Sequence, residues 1–141
     1  MSWIDDAKKE AEVDRQVRLT NFHEIIQGER IEIEKVLDEA RRQGLTVSNP
    51  EEGYFLVDDY GRFSLHGEDF GFNTIGKLGN CYTPPGCNGN VSWAVVWTII
   101  TNQPRKSKMA VLLGTKNGKC TVNSSEVETG IKKWLVREFS I

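Results

Sequence analysis

The amino-acid sequence predicts an α+β fold: a mainly antiparallel sheet of about five strands, flanked by an N-terminal helix and a C-terminal helix. Three observations carry this prediction: a long charged segment without proline at the start, short apolar segments bounded by turn residues in the middle, and a capped amphipathic segment at the end. The chain has 141 residues, of which 38% are hydrophobic and 27% charged. This size and composition are typical of one folded domain with a single core.

The first element is a helix over residues 3–43, where the chain has no proline and only one glycine, Gly28. A straight helix of that length would measure about 60 Å, whereas a domain of this size is about 37 Å across. The helix must therefore break or project. Asn21 followed by Glu24 resembles a capping arrangement and favours a second helix start there. An apolar stripe of helical period should then face the core, and it comprises Phe22, Ile25, Ile26, Ile33, Val36, Leu37 and Ala40.

Before Asn21 the apolar positions are sparse and divided between two sides of the helix. One side carries Trp3, Ile4, Ala7 and Ala11, and another carries Val13 and Val17. We therefore divide the chain into a helical arm, residues 1–20, and a single α+β domain, residues 21–141. The arm is open to two interpretations: a solvated, partly frayed helix, or a helix that docks on a partner or on a second copy of the chain.

The middle of the chain predicts strands. Gly44 should end the helix, and residues 54–57 and 62–66 form a short hairpin around the turn at 58–61. Residues 91–101 are apolar on both faces, which is typical of a central strand that is covered on both sides. A further strand over residues 109–113 follows, and the Asn-Gly pair at 117–118 predicts a hairpin turn.

The last element is a helix opened by Ser125, with Glu128 three residues later as a capping box. Its apolar side should close the core. That side consists of Val127, Ile131, Trp134, Leu135 and Phe139.

Residues 67–90 form the most informative loop, with six glycines, four asparagines and two prolines. Long irregular loops in compact domains are often functional, and aromatic residues here suggest that the loop packs on the sheet. A loop that binds a ligand or partner and a purely structural loop are equally good interpretations. The candidate binding residues are Phe70, Phe72, Lys77, Asn80 and Tyr82.

Within this loop, residues 71–77 match the first seven positions of the phosphate-binding pattern G-x-x-x-x-G-K-[ST]. The eighth position is Leu78, which has no hydroxyl group to bind magnesium. Glycines and prolines soon afterwards also argue against the helix that such a loop requires. Nucleotide hydrolysis is therefore not expected.

Cysteine and histidine residues offer a second possibility. Cys81 and Cys87 flank a Pro-Gly turn, and with Cys120 and either His66 or His23 they could be drawn as a Cys3His zinc site. The five-residue gap between the first two exceeds the usual two to four. A redox pair is a further alternative, but ordinary reduced thiols are favoured, and no metal and no cofactor are expected.

His66, Glu68 and Asp69 are residue types suited to acid–base catalysis. Their spacing is generic, and such clusters are most often solvated turns. A small enzyme or metal protein that uses these three residues with Cys81 and Cys87 is the alternative function, and an enzyme is less expected than a binding protein.

A basic set in the last third resembles a nucleic-acid footprint at first sight. If residues 109–113 form a strand, however, the basic residues before it and those after it lie at opposite ends of the sheet. The basic residues would then not form one surface, so nucleic-acid binding is not expected. The set comprises Arg105, Lys106, Lys108, Lys116 and Lys119.

The chain has no segment suited to a membrane, because its longest apolar run, residues 91–100, is far shorter than the roughly 20 residues that a bilayer requires. The start of the chain turns acidic at once, unlike a signal peptide, and three cysteines are an odd number for a disulfide framework. These features predict a cytoplasmic protein.

The sequence thus favours a non-catalytic binding or assembly module. It would act through the helical arm and loop 67–90, with a protein partner or a second copy of the chain bound by the arm. Self-association into a homo-oligomer is the more specific expectation.

Overall fold

The structure is a computed structural model, and it describes residues 2–57, 63–65, 68–71, 74–76, 90–102 and 106–140. It confirms the α+β class, with two helices flanking a sheet. The elements in chain order are α1 (Trp3–Arg42), β1 (Thr46–Val47), β2 (Glu51–Val57), β3 (Phe63–Leu65), β4 (Glu68–Gly71), β5 (Thr74–Ile75), β6 (Asn90–Thr101), β7 (Ser107–Leu113), β8 (Thr115–Lys116), β9 (Lys119–Cys120) and α2 (Ser124–Phe139).

Helix α1 is continuous, so the predicted restart at Asn21 is wrong. The helix begins at the N-cap Ser2, whose side chain accepts a hydrogen bond from the backbone N–H of Ile4 at 3.1 Å. It ends where Gly44 takes a φ of +101°, a conformation that glycine adopts without strain. The sequence left two possibilities for this helix, that it breaks or that it projects from the domain. The structure shows that the helix is unbroken and projects.

The buried side of α1 agrees with the predicted stripe, because Phe22, Ile26, Ile33, Leu37 and Ala40 are all buried. Ile25 and Val36 are half-buried, and Ile31 is exposed on the outer side as expected. Residues 2–18 are exposed without exception. Helix α1 thus has a packed half that starts at Phe22 and a projecting half before it. The division of the chain at residue 20 into arm and domain stays a prediction.

The main sheet has seven strands in the part of the chain that the structure describes, in the order β4-β3-β2-β6-β7-β5, with β1 also pairing with β6. Two of them, β1 and β5, have only two residues, so five longer strands agree with the predicted number. The sheet is mixed, since β5 runs parallel to β7 while the other pairs of this sheet are antiparallel.

Strand β6 is the centre of the sheet, as predicted, with β2 on one side and β7 on the other. Its residues Val95, Trp97 and Ile99 belong to the core cluster formed with the helices. On the opposite face Ala94 and Val96 are buried too. The strand is therefore covered on both sides, which explains its apolar sequence.

Gly76 follows the parallel edge strand β5 and has a φ of +95°. A Cβ atom at this position would lie 2.2 Å from the backbone oxygen of Leu112 in β7. Only glycine allows the backbone to approach β7 this closely.

Helix α2 starts earlier than predicted, with Asn123 as its N-cap in place of Ser125. The Asn123 side chain accepts a hydrogen bond from the backbone N–H of Glu126 at 2.8 Å and donates one to the Glu126 carboxylate. Val127, Ile131 and Trp134 are buried as expected. Phe139 was expected on the same side but is 60% exposed, because the buried side of α2 continues in the last turn through Glu138 and not through Phe139.

Candidate functional site

Most residues of the predicted binding loop lie outside the described part of the chain. This holds for Phe72, Lys77, Asn80 and Tyr82. Phe70 lies in β4, where the structure describes the backbone. Thr74 and Ile75, the fourth and fifth positions of the phosphate-binding pattern, form a short strand and not the irregular loop that surrounds a phosphate, which agrees with the rejection of that motif.

The metal and acid–base candidates are not brought together among the described residues. His66, Cys81 and Cys87 lie outside them, and Glu68 and Asp69 lie in β4. Within the described ranges, no group of three or more His, Cys, Asp or Glu residues is placed to hold a metal ion. The enzyme or metal-protein alternative stays a prediction.

Cys120 in β9 is the cysteine that the structure describes, and it is packed against the backbone of α1. Its thiol donates to the backbone oxygen of Ile25 at 3.6 Å. Burial raises the pKa of the Cys120 thiol, and the negative charge of Glu29 raises it further. A raised pKa lowers the fraction of thiolate, the form of cysteine that binds metals and reacts.

The other zinc-ligand candidate, His23, belongs to a cluster that the sequence did not predict. Its Nε2 lies 2.9 Å from Oε2 of Glu52 in β2, and Arg30 Nη1 donates to Oε1 of the same carboxylate at 2.6 Å. Partial burial alone would raise the pKa of Glu52, but the hydrogen bonds from His23 and Arg30 outweigh it and hold that pKa below its ordinary value. The cluster fastens α1 to the sheet.

Three further side chains fasten the packed half of α1. Glu34 accepts a hydrogen bond from the indole N–H of Trp97 in β6 at 2.9 Å. Glu29 accepts one from the backbone N–H of Ser124 at 2.7 Å, which satisfies a free donor at the start of α2. Arg41 donates to the backbone oxygen of Ser48 at 3.1 Å. The projecting half therefore extends from a rigidly held base.

The projecting half of α1 exposes large apolar side chains. Trp3 is 91% exposed, Ile4 66%, Val13 64% and Val17 54%. Residues Ile4, Ala7 and Ala11 follow the spacing i, i+3, i+7 and share one face of the helix, with Trp3 beside them. We call this the arm face. Its two large members, Trp3 and Ile4, are the most exposed large apolar side chains of α1 together with Val13 and Val17 on another side.

Ion pairs along the same half explain how it stays helical without packing. Arg15 pairs with Glu12, and Arg18 pairs with Asp14 at 3.1 Å, at the spacings i+3 and i+4. Each such pair contributes about 0.2–0.5 kcal/mol to an exposed helix. These pairs add to the stability of the helix in its projecting half.

A groove of about 310 Å³ lies between the packed half of α1 and α2. We call it the interhelix groove. Its apolar side chains come from both helices and the segment after α1, and its rim is charged. The apolar lining residues are Val36, Ala40, Leu45, Ile131 and Leu135, and the charged ones are Glu32, Lys35, Glu39, Glu128 and Lys132.

Comparison with protein-family models, with curated proteins and with solved structures finds no match for this chain. None of the described helices is long and apolar enough to cross a membrane.

The basic residues Lys106 and Lys108 lie at the start of β7, whereas Lys116 and Lys119 lie in the hairpin of β8 and β9 beyond its other end. The described structure thus offers two surfaces, the arm face and the interhelix groove.

Proposed function

We propose that this protein is a non-catalytic assembly module that associates with itself through the projecting half of α1. The observation that supports this most strongly is the exposure of Trp3 and Ile4 on a helix segment whose other side chains are mostly charged. Tryptophan is among the residues most enriched at the energetic centres of protein interfaces. Trp3 is 91% exposed on a regular helix, so its whole ring is accessible to a partner surface.

The rigid base of the arm adds to this argument. A helix that is held by Glu29, Glu34 and the Glu52 cluster points in one direction, so a partner meets a preformed surface. Preorganisation lowers the entropy lost on association, because the arm need not fold as it binds. Loop 67–90 remains a predicted second binding element.

We place this module in the cytoplasm. The three cysteines do not form an even set, and the thiol of Cys120 is held as a protonated hydrogen-bond donor. Both features suit a reducing compartment.

The test is the mass of the full chain in solution, measured by light scattering after size exclusion over a range of concentrations. Lys9→Pro would break the arm, because proline removes a helix hydrogen bond and clashes with the preceding turn at a cost of about 3 kcal/mol. The first buried residue of α1 is Phe22, so the core is untouched. We expect the wild type to form a dimer or larger oligomer and Lys9→Pro to be monomeric with an unchanged melting temperature.

Lys9→Ala is the matched control, since it removes the same charge and keeps the helix. It should assemble as the wild type does. A wild type that is monomeric at every concentration, or a Lys9→Pro variant that assembles normally, would show that the arm does not mediate assembly.

A further inference from the structure

We infer that the partner surface of the arm is the interhelix groove of a second copy, in a two-fold symmetric dimer in which each arm lies antiparallel to the packed half of the other α1. This inference rests on the proposed function and names the partner and the surface that the arm binds. Four features of the structure support it.

The first feature is length. The projecting half, residues 3–21, and the packed half, residues 22–42, are each about 30 Å long at 1.5 Å per residue. Two α1 helices aligned antiparallel over their full length therefore place each projecting half beside the packed half of its partner. The two folded bodies then lie on opposite halves of the helix pair.

The second feature is apolar complementarity. A shift of two residues from full overlap places Ala7 and Ala11 of the arm opposite Ala40 and Val36, two residues that line the groove. The small alanine side chains allow the arm to approach the groove closely, as close helix packing requires. The arm face thereby covers the apolar lining that solvent reaches in a single copy.

The third feature is the pairing of exposed aromatic residues. Helix α2 starts beside Glu29 and lines the groove as far as Leu135, so its last turn with Phe139 lies near the end of α1. The antiparallel arm brings Trp3 to that same end. Trp3 is 91% exposed and Phe139 60%, and their contact would bury both.

The fourth feature is charge. On the edge of the arm face that points away from α2, Asp6 and Glu10 are four residues apart. The outer rim of the groove carries Lys35, and Arg42 lies seven residues further along the same side of α1. When two helices run antiparallel, the same edges meet, so acidic side chains face basic ones.

Lys35 and Arg42 already form ion pairs within α1, but both side chains remain accessible to a partner. Lys35 pairs with Glu32 at 3.0 Å and Arg42 with Glu39 at 2.7 Å, and all four side chains are more than half exposed. Such pairs hold little energy and can accept a second acidic neighbour. On the α2 side, Lys132 and Glu128 pair at 3.3 Å, so that rim is neutral toward the arm.

The area is sufficient for a specific dimer. Two α1 helices paired over their full length bury roughly 1,100 Å² counted over both surfaces, at a contact width of about 10 Å and a length of about 28 Å for each arm. The lining of the groove on α1 runs from Glu32 to Gln43, about 18 Å of helix, so the groove contributes roughly two-thirds of this area. The total is close to the roughly 1,000 Å² expected of a specific interface. The two-fold arrangement also closes on itself, so it yields dimers and not filaments.

The experiment measures the dimer dissociation constant of full-length variants by sedimentation equilibrium. Asp6→Lys should weaken the dimer about tenfold, because the unfavourable contact occurs twice in a two-fold dimer. Asp5→Lys is the matched control: it lies in the same first turn and changes the net charge equally, but it points to another side of the helix. It should leave the dissociation constant within about twofold of the wild type.

Two substitutions near the groove distinguish a dimer in which the arm binds the groove from one in which the two arms bind each other. Arg42→Glu should weaken the dimer, and Asp6→Lys combined with Arg42→Glu should recover most of the loss. Phe139→Ala should also weaken it by about tenfold without lowering the melting temperature, since the side chain lies largely in solvent.

The outcomes are distinct. A dimer that Lys9→Pro abolishes but that neither Arg42→Glu nor Phe139→Ala affects would overturn the groove as the partner surface and leave the proposed function standing. A monomeric wild type would overturn both. Weakening by both groove variants, with recovery in the double charge reversal, is the result that we expect.

Discussion

Glu52 connects the sheet to α1, and its replacement by glutamine gives a quantitative test of how the arm is held. The Glu52 carboxylate accepts from Arg30 at 2.6 Å and contacts His23 at 2.9 Å. Its side chain is 29% exposed and that of Arg30 32%. Hydrogen bonds to charged groups contribute about 1.5–3 kcal/mol each, but solvent screening at this exposure lowers the sum to about 1–2 kcal/mol.

We therefore expect Glu52→Gln to lower the free energy of unfolding by about 1–2 kcal/mol, and the melting temperature by about 3–6 °C for a chain of this length. Urea titration followed by circular dichroism measures the first quantity and calorimetry the second. Glu51→Gln is the matched control, because Glu51 is the exposed neighbour on the same strand. It should change the free energy of unfolding by less than about 0.5 kcal/mol.

The pH dependence has a defined sign. The pKa of Glu52 is lowered in the folded protein, so its stabilising contribution is present above the ordinary glutamate pKa of about 4.3 and is lost as pH falls through the lower folded value. The stability difference between wild type and Glu52→Gln should therefore be larger above the ordinary glutamate pKa than below it, and should shrink in acid. Equal effects of Glu52→Gln and Glu51→Gln, or a difference that does not depend on pH, would refute this account of the cluster.

Two further predictions concern the fold. Gly76→Ala should destabilise the protein by about 3 kcal/mol or more in urea titration, because the added carbon meets the backbone oxygen of Leu112 and the φ is positive; Gly118→Ala, also at positive φ but in open space, should cost only about 1–2 kcal/mol. Asn123→Ala should cost about 1 kcal/mol through loss of the N-cap, whereas Ser125→Ala should be neutral; the reverse order would restore Ser125 as the cap.

The regular parts of the fold were accessible to sequence reasoning, because periodicity reports burial. The apolar stripe from Phe22 to Ala40 and the doubly apolar strand β6 both lie where their patterns predict. The helix restart at Asn21 failed for a related reason. A capping residue competes with continued helix only if the following backbone leaves the helix, and here the exposed ion pairs around Glu12 and Asp14 favour continuation.

Other features of the fold could not be predicted, most of them because they depend on residues far away in the sequence. Strand β5 has two residues, and its parallel pairing with β7 depends on a segment more than 30 residues later in the chain. Phe139 is exposed because the buried side of α2 runs through Glu138, and a charged residue gives no hydrophobic signal for that side. The interhelix groove joins residues of α1 and α2 that are about 90 positions apart, so only a structure brings them together. The arm, in contrast, was visible because weak amphipathicity over many residues predicts an exposed helix.

The hydrogen bond from Ser124 to Glu29 joins residues 95 positions apart and sets an order of events during synthesis. The arm is translated first and can form its helix on its own ion pairs, but the groove does not exist until α2 has been made. A nascent or C-terminally truncated chain could therefore offer an arm but not accept one. In the dimer that we infer, assembly would then begin only after α2 has left the ribosome, which keeps chains that lack α2 from pairing reciprocally with one another.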